Sequence, residues 1–154
     1  MKNIKDNKLM NMETIFKKYG LRMTFQRVEI YRELISDFHH PSVEDIYKRV
    51  KKKIPTISPD TVYRTISTFE NYGLIKRVQA LNNQGRFDAN LKIHHHLICT
   101  RCKRIEDFYW PAFDHMKTPD NLKSWGELDD KYVEIRGLCK QCIQKERKKK
   151  KNKN

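Results

Sequence analysis

Met12, Ile15, Phe16 and Tyr19 fall at i, i+3, i+4 and i+7, and Gly20 follows them: an amphipathic helix with a glycine stop. A second helix is predicted from Thr24, with Val28, Tyr31, Leu34 and Phe38 on one face. His39-His40-Pro41 ends it, because the residue before a proline avoids helical backbone angles. Ser42-Val43-Glu44-Asp45 reads as a cap opening a third helix through about Lys51, with Ile46 and Val50 apolar. Ser58-Pro59-Asp60 is a further helix start: serine caps, proline fits the first turn, and aspartate meets the positive end of the helix dipole. That helix runs to about Tyr72, with Val62, Ile66 and Phe69 inward and Gly73 as its stop.

Leu74 to Leu81 then reads as a strand, Asn82-Asn83-Gln84-Gly85 as a turn, and Arg86-Phe87-Asp88 as a returning strand. Helices followed by a β-hairpin predict a winged helix-turn-helix, with the helix from Asp60 entering the DNA major groove and the hairpin as the wing. The plainer alternative is a small α+β domain with no DNA role. After about Asn90 the elements shorten to strands at His94–Thr100, Arg104–Phe108 and Tyr132–Arg136. The stretch carrying Pro111, Pro119 and Gly126 leaves room for a short or broken helix. The expected fold is therefore α+β. A winged-helix domain occupies residues 1–84, a hinge 85–92, a C-terminal α/β domain 93–144, and a basic disordered tail 145–154.

Charge supports the nucleic-acid reading. The chain has 154 residues, with 33 Lys+Arg against 19 Asp+Glu, a net charge of +14. The tail carries seven Lys/Arg and one Glu, +6, which leaves +8 on the body. A polyanion is the leading partner, an anionic membrane surface the second. A hydrophobic content of 38% fills small cores but not a large enzyme built round one deep pocket. No stretch approaches the ~18–20 apolar residues of a membrane span, and no apolar run follows the Lys-rich start as a secretory signal requires. A cytoplasmic, non-enzymatic protein is expected.

In such a compartment the four cysteines point to metal or redox chemistry rather than structural disulfides. They form two Cys-x-x-Cys pairs, Cys99/Cys102 and Cys139/Cys142. Each pair can put two thiolates on one ion from a tight turn, and two such turns make a tetrahedral S4 site that suits structural zinc. A thiol oxidoreductase is the alternative, but it needs a βαβ context that this chain does not supply.

His94, His95 and His96 lead into the first pair. On a strand His94 and His96 share a face and His95 points away, so two imidazoles could begin a second metal site. Asp88, Asp107 and His40 are further candidates whose plainer readings are a turn residue, a solvated strand end and a capping or surface residue. Spacing alone leaves that site open.

Taken together, several segments resemble the ferric uptake regulator family: Arg22-Met-Thr-Phe-Gln-Arg27, His40-Pro41-Ser-Val-Glu-Asp-Ile-Tyr47, Ser58 to Gly73 with Thr61-Val62-Tyr63-Arg64, Arg86-Phe87-Asp88, His94-His-His-Leu-Ile-Cys99-Thr-Arg-Cys102, and Gly137-Leu-Cys139-Lys-Gln-Cys142. The match covers about residues 12–143, in order. The resemblance implies a homodimeric bacterial repressor whose C-terminal α/β domain dimerises, bound to a double-stranded DNA operator built as an inverted repeat. The four cysteines correspond to the family's structural zinc site. His40, Asp88, His94, His96 and Asp107 correspond to its regulatory site, where Fe(II) or Mn(II) acts as co-repressor by holding the two winged helices at one separation.

Aspartate at both 88 and 107 resembles the peroxide-stress branch, where iron-uptake regulators usually carry Glu. That branch responds to peroxide through Fe(II)-catalysed oxidation of a ligand histidine, here His40 or His94. Arg64 instead resembles the iron-uptake branch, since peroxide regulators often carry Asn there. An iron-responsive repressor that releases DNA reversibly is thus the alternative. Residues expected to meet DNA are Ser58, Thr61, Tyr63, Arg64, Lys76 and Arg77, with weaker support from the Arg86 region. Two departures stand out: Lys103 replaces a common glycine, and Lys131 replaces a histidine of an additional metal site. His39 and His95 are expected to be supporting or exposed residues, and His115 a surface one.

Overall fold

A computed structural model describes residues 12–37, 39–79 and 85–151. Phe38, the last two residues of the strand expected over 74–81 and residues 82–84 of the expected turn lie outside the described residues. The N-terminal half contains α1 (residues 12–18), α2 (Phe25–Ser36), α3 (Val43–Lys53) and α4 (Pro59–Asn71), followed by β1 (Lys76–Gln79) and β2 (Gly85–Asp88). The C-terminal half contains β3 (His95–Cys99), β4 (Ile105–Phe108), α5 (Pro111–Asp114), a 3-10 turn (Asp120–Leu122), β5 (Glu134–Gly137) and α6 (Lys140–Lys151).

The helix boundaries follow from local chemistry. The Thr24 hydroxyl accepts from Arg27 N–H at the start of α2. Ser42 and Asp45 form a reciprocal capping box on α3, and Ser58 caps α4 with Pro59 in the first turn. Gly20 and Gly73 both adopt left-handed backbone (φ 62° and 67°), closing the helices before them. After Gly73, Leu74 N–H reaches back to Phe69 O at 2.8 Å, and Gly73 N–H to Glu70 O at 2.9 Å, so the orphan carbonyls of α4 are satisfied. Helix α2 ends at Ser36, earlier than the His39-His40-Pro41 stop predicted, because Asp37 is already extended and its carboxylate accepts from His39 N–H.

Most positions predicted to be apolar are buried, although Ile15, Tyr19 and Val28 are only half-buried and Ile30, not among those predicted, is buried in α2. Met12 and Phe16 of α1, Ile30 and Leu34 of α2, Ile46 and Val50 of α3, and Val62, Ile66 and Phe69 of α4 share one core. Phe16, Tyr31 and Phe69 meet edge to face at centroid distances of 5.5–6.0 Å. Strands β1 and β2 pair antiparallel, with Lys76 opposite Asp88 and Gln79 opposite Gly85.

In the second sheet the order is β4-β3-β5. Strands β3 and β4 run antiparallel and place His96 opposite Asp107; β3 and β5 run parallel and place Cys99 opposite Gly137. The broken helical stretch between β4 and β5 resolves into α5 and the 3-10 turn. Among the described residues no helix is long and apolar enough to cross a membrane.

The structure departs from expectation in two places. Arg86-Phe87-Asp88 form the returning strand as expected, but the strand already begins at Gly85, expected in the turn, and the chain leaves that sheet only after Asp88, inside the 85–92 stretch expected to be a hinge. The extended backbone of residues 85–88 is held by ladder bonds to β1 and by Phe87 N–H to Pro41 O at 3.0 Å. The tail, expected to be disordered from Lys145, continues α6 to Lys151. Lys, Arg, Gln and Glu are good helix formers, and α6 is already nucleated beside Cys139 and Cys142.

Two candidate metal centres

The first centre gathers the four cysteines. Their sulfurs all lie within 4.8 Å of one another. Cys99 Sγ and Cys142 Sγ are 3.8 Å apart, and Cys102 Sγ and Cys139 Sγ 3.7 Å. A tetrahedral site with Zn–S bonds of about 2.3 Å has S···S edges of about 3.8 Å, so the spacing fits zinc. Cys99 and Cys142 are buried, Cys139 is half-buried and Cys102 is exposed. The Cys139 N–H, 3.4 Å from Cys99 Sγ, draws that thiol down to about 6. Burial, reinforced by the neighbouring sulfurs, pushes Cys142 up to about 12. Four thiolates this close repel one another, and a divalent cation among them relieves the repulsion.

The turn between the first two cysteines closes at Lys103, where the sequence departs from glycine. Lys103 takes φ 62°, the left-handed backbone that glycine tolerates without strain. It is held there by its N–H to Cys99 O at 3.0 Å and its ammonium to Thr100 O at 2.5 Å.

The second centre lies where the two halves meet. His40 comes from the α2–α3 connection, Asp88 from the end of β2, His94 and His96 from the start of β3, and Asp107 from β4. His40, Asp88, His94 and His96 are buried, and Asp107 is partly so. His94 Nε2 lies 2.8 Å from Asp88 Oδ2 and 3.0 Å from His96 Nε2. His40 Nε2 lies 3.1 Å from Asp107 Oδ1 and 3.6 Å from Asp88 Oδ2. Asp107 Oδ1 is also 3.6 Å from His94 Nε2 and 3.8 Å from His96 Nε2.

His94 Nδ1 donates to Lys92 O at 2.7 Å, which leaves the Nε2 lone pair facing the cluster. Both ring nitrogens of His40, His96 Nδ1 and Asp107 Oδ1 are buried without a hydrogen-bond partner. Buried polar atoms left in this way are free to act as ligand atoms. Three imidazoles and two carboxylates suit a divalent cation with a preference for N and O ligands. Burial alone would raise the Asp88 carboxyl, but the imidazoles of His40 and His96 and the Asn90 N–H outweigh it and hold Asp88 well below the usual carboxylate range.

His40 adopts a strained backbone that contacts from the hairpin hold in place. Its φ is 54°, left-handed for a residue with a Cβ. Arg86 Nη1 reaches both His40 O (3.4 Å) and Asp45 Oδ2 (3.2 Å), linking the His40 carbonyl to β2 and to the α3 cap. Strand alternation turns His95 away from the centre, as predicted. It is fully buried, with Nδ1 accepting from Val133 N–H at 3.1 Å and Nε2 3.2 Å from Asp114 Oδ1. His39 and His115 are exposed.

The residues expected at DNA divide into two groups. Tyr63 and Arg64 project from α4 and are exposed, and among the described residues the Arg64 guanidinium pairs with Asp60 at 3.0 Å. The Ser58 and Thr61 hydroxyls engage each other at 2.9 Å within the helix cap. Lys76 pairs with Asp130 at 3.1 Å. Arg77 grips Glu70 through two bonds of 2.9 and 2.8 Å and stacks over Phe87. Sequence reasoning missed Asn90 and the Arg86–His40 link. An Asp-x-Asn run that forms successive side-chain turns was the available signal for Asn90.

The ferric uptake regulator family model matches residues 18–126. The chain is 34% identical to the peroxide-responsive repressor PerR of Staphylococcus epidermidis over 137 residues, 89% of this chain and 91% of that protein. It is likewise 34% identical to the peroxide operon regulator of Bacillus subtilis over 135 residues, 88% of this chain and 92% of that one. Its fold is similar to the solved structure of the Helicobacter pylori ferric uptake regulator, with a TM-score of 0.72, 25% identity, and coverage of 90% of this chain and 93% of that one. With the family model spanning most of the sequence and both halves of the fold accounted for, the chain belongs to the ferric uptake regulator family.

Proposed function

We infer that this protein is a homodimeric, metal-dependent transcriptional repressor of the cytoplasm that responds to peroxide, and not an enzyme. The carrying observation is the convergence of His40, from the N-terminal half, with Asp88, His94, His96 and Asp107 in one buried cluster. Similarity to two peroxide-responsive regulators supports the peroxide branch. Cys99, Cys102, Cys139 and Cys142 hold a structural zinc ion.

His40, Asp88, His94, His96 and Asp107 hold the regulatory Fe(II) or Mn(II). Fe(II) held there would catalyse oxidation of a ligand imidazole by peroxide: one peroxide oxygen would be inserted at a ring carbon of His40 or His94, the ring would give up the two electrons, and the other oxygen would leave as water. Mn(II) fills the same donors without that reaction. An oxidised His40 no longer ties the N-terminal half to β3 and β4, and the DNA-binding halves lose their fixed separation.

The helices α2–α4 and the hairpin β1–β2 support a winged helix-turn-helix with α4 in the major groove of an inverted-repeat operator. Exposed Tyr63 and Arg64 face the bases, and the +14 charge draws the duplex in. Leu97 and Ile135 stand side by side on β3 and β5 and both remain exposed, which supports a second copy as their cover.

The test is mass spectrometry after peroxide challenge. Zinc-loaded protein is given Fe(II) or Mn(II) without oxygen, then peroxide, and oxygen addition is mapped by peptide. Addition at His40 or His94 with iron alone is expected. Unmodified histidines with iron bound would instead favour the iron-responsive repressor, the reading that Arg64 supports.

A further inference from the structure

Between the two carboxylates of the second centre sits Asn90, which belongs to no secondary-structure element and to none of the motifs of the chain. Its backbone N–H donates to Asp88 Oδ1 at 2.7 Å. Its side-chain Nδ2 donates to Asp107 Oδ2 at 3.1 Å and meets the Tyr109 hydroxyl at 3.2 Å. Its Oδ1 accepts from Lys92 N–H at 3.3 Å. The orientation of the amide is fixed by its partners, because a carboxylate only accepts and a backbone N–H only donates.

In this way Asn90 occupies one oxygen of each aspartate. The oxygens it leaves, Asp88 Oδ2 and Asp107 Oδ1, are those that face the imidazole nitrogens of His40, His94 and His96. Asp88 and Asp107 come from different sheets, so a single residue sets the presentation of both.

The geometry points to Asn90 as a positioning residue that makes Asp88 and Asp107 each offer one oxygen, and only one, to the regulatory cation. The inference rests on the second centre being a metal site. A carboxylate with both oxygens free can turn to bind one cation through both; one whose outer oxygen is tethered to an amide is held with its other oxygen forward, and binding through both requires it to turn against that tether. Asn90 therefore limits the coordination number and tunes the affinity, as residues that orient metal ligands generally do.

The experiment uses full-length, zinc-loaded protein and Co(II) as the probe, read by its visible absorption, whose intensity falls as the coordination number rises. Wild type and His96→Ala establish whether Co(II) binds at this centre. No Co(II) binding by wild type would overturn the metal-site reading and this inference with it.

Where wild type binds, Asn90→Ala keeps the backbone bond to Asp88 but frees Asp107. Expected are a changed, weaker Co(II) absorption band and an affinity lower by about 10–100-fold, with zinc content unchanged. Asn90→Asp, which keeps the acceptor for Lys92 N–H but replaces the donor to Asp107, reads the same property should the alanine variant fail to fold, and should change the spectrum likewise. Tyr109→Phe removes only the hydroxyl beside Asn90 and should leave the spectrum as in wild type. Wild-type absorption and affinity in a folded Asn90 variant would overturn the positioning role while leaving the metal site standing.

Discussion

His40 Nε2 lies 3.1 Å from Asp107 Oδ1, joining the α2–α3 connection to the second sheet. The contact has a definite chemical consequence. His40→Ala removes the member of the centre contributed by the helices before the β1–β2 hairpin, and leaves Asp88, His94, His96 and Asp107 in place. Mn(II) should still bind, more weakly by about tenfold or more, but should no longer strengthen DNA binding. Anisotropy titrations of a duplex selected from a random library, with and without Mn(II), check both halves of that expectation.

Removing zinc should act unevenly along the chain. A strong chelator, or Cys139→Ser, releases the turn that fixes β5 and α6 to β3, because zinc binding is folding energy. The helical half keeps a core built from α1–α4 and Phe87 that includes none of the cysteines. Limited proteolysis followed by mass mapping should show cuts spreading after about residue 92 while a fragment containing α2–α4 persists. Uniform digestion of the whole chain would show that the two halves unfold together.

Lys103 is a site for stabilisation. Its left-handed backbone costs about 1–2 kcal/mol in a residue with a Cβ, partly offset in glycine by the greater freedom of its unfolded chain. Lys103→Gly should therefore raise stability by about 0.5–1 kcal/mol, seen as a higher Tm of the zinc-loaded protein. A lower Tm would mean that the ammonium contact to Thr100 O outweighs the strain.

Two arginines expected at DNA should behave differently. Arg64 is exposed and, among the described residues, paired with an exposed Asp60, so it can turn toward a groove. Arg64→Ala should weaken DNA binding; a fall in the salt slope of about 0.9 would identify a phosphate contact, and relaxed base preference a base contact. Arg77 is committed to Glu70 and Phe87, where it braces β1 against α4. Arg77→Ala should leave the salt slope nearly unchanged and lower the Tm slightly, an exposed pair of this kind contributing at most about 1 kcal/mol. Paired titrations over a range of salt concentrations compare the two.

Local signals were legible and long-range ones were not. The caps at Thr24, Ser42 and Ser58 and the stops at Gly20 and Gly73 are written in side-chain chemistry within four residues of each helix end, so they could be placed from the chain alone. Strand alternation separated His94 and His96 from His95 for the same reason. The approach of His40 to Asp107 depends on how two separately built halves dock, and only the family resemblance pointed to it. Arg77 shows the complementary limit: a basic residue on a wing strand reads as a phosphate contact until Glu70 is found opposite it. Asn90 carries no periodicity at all, and its value comes from two carboxylates that other elements deliver.

Strand β3 carries His96 toward one end and Cys99 at the other, and β5 is bonded along it from His96 N–H to Val133 O (3.0 Å) to Thr100 N–H to Gly137 O (2.8 Å). One strand therefore spans both clusters, and the two are mechanically in series. If zinc fills the four cysteines, its loss should loosen the strand on which His94 and His96 stand, so a zinc-free molecule should lose the second centre as well and give no signal rather than a false one.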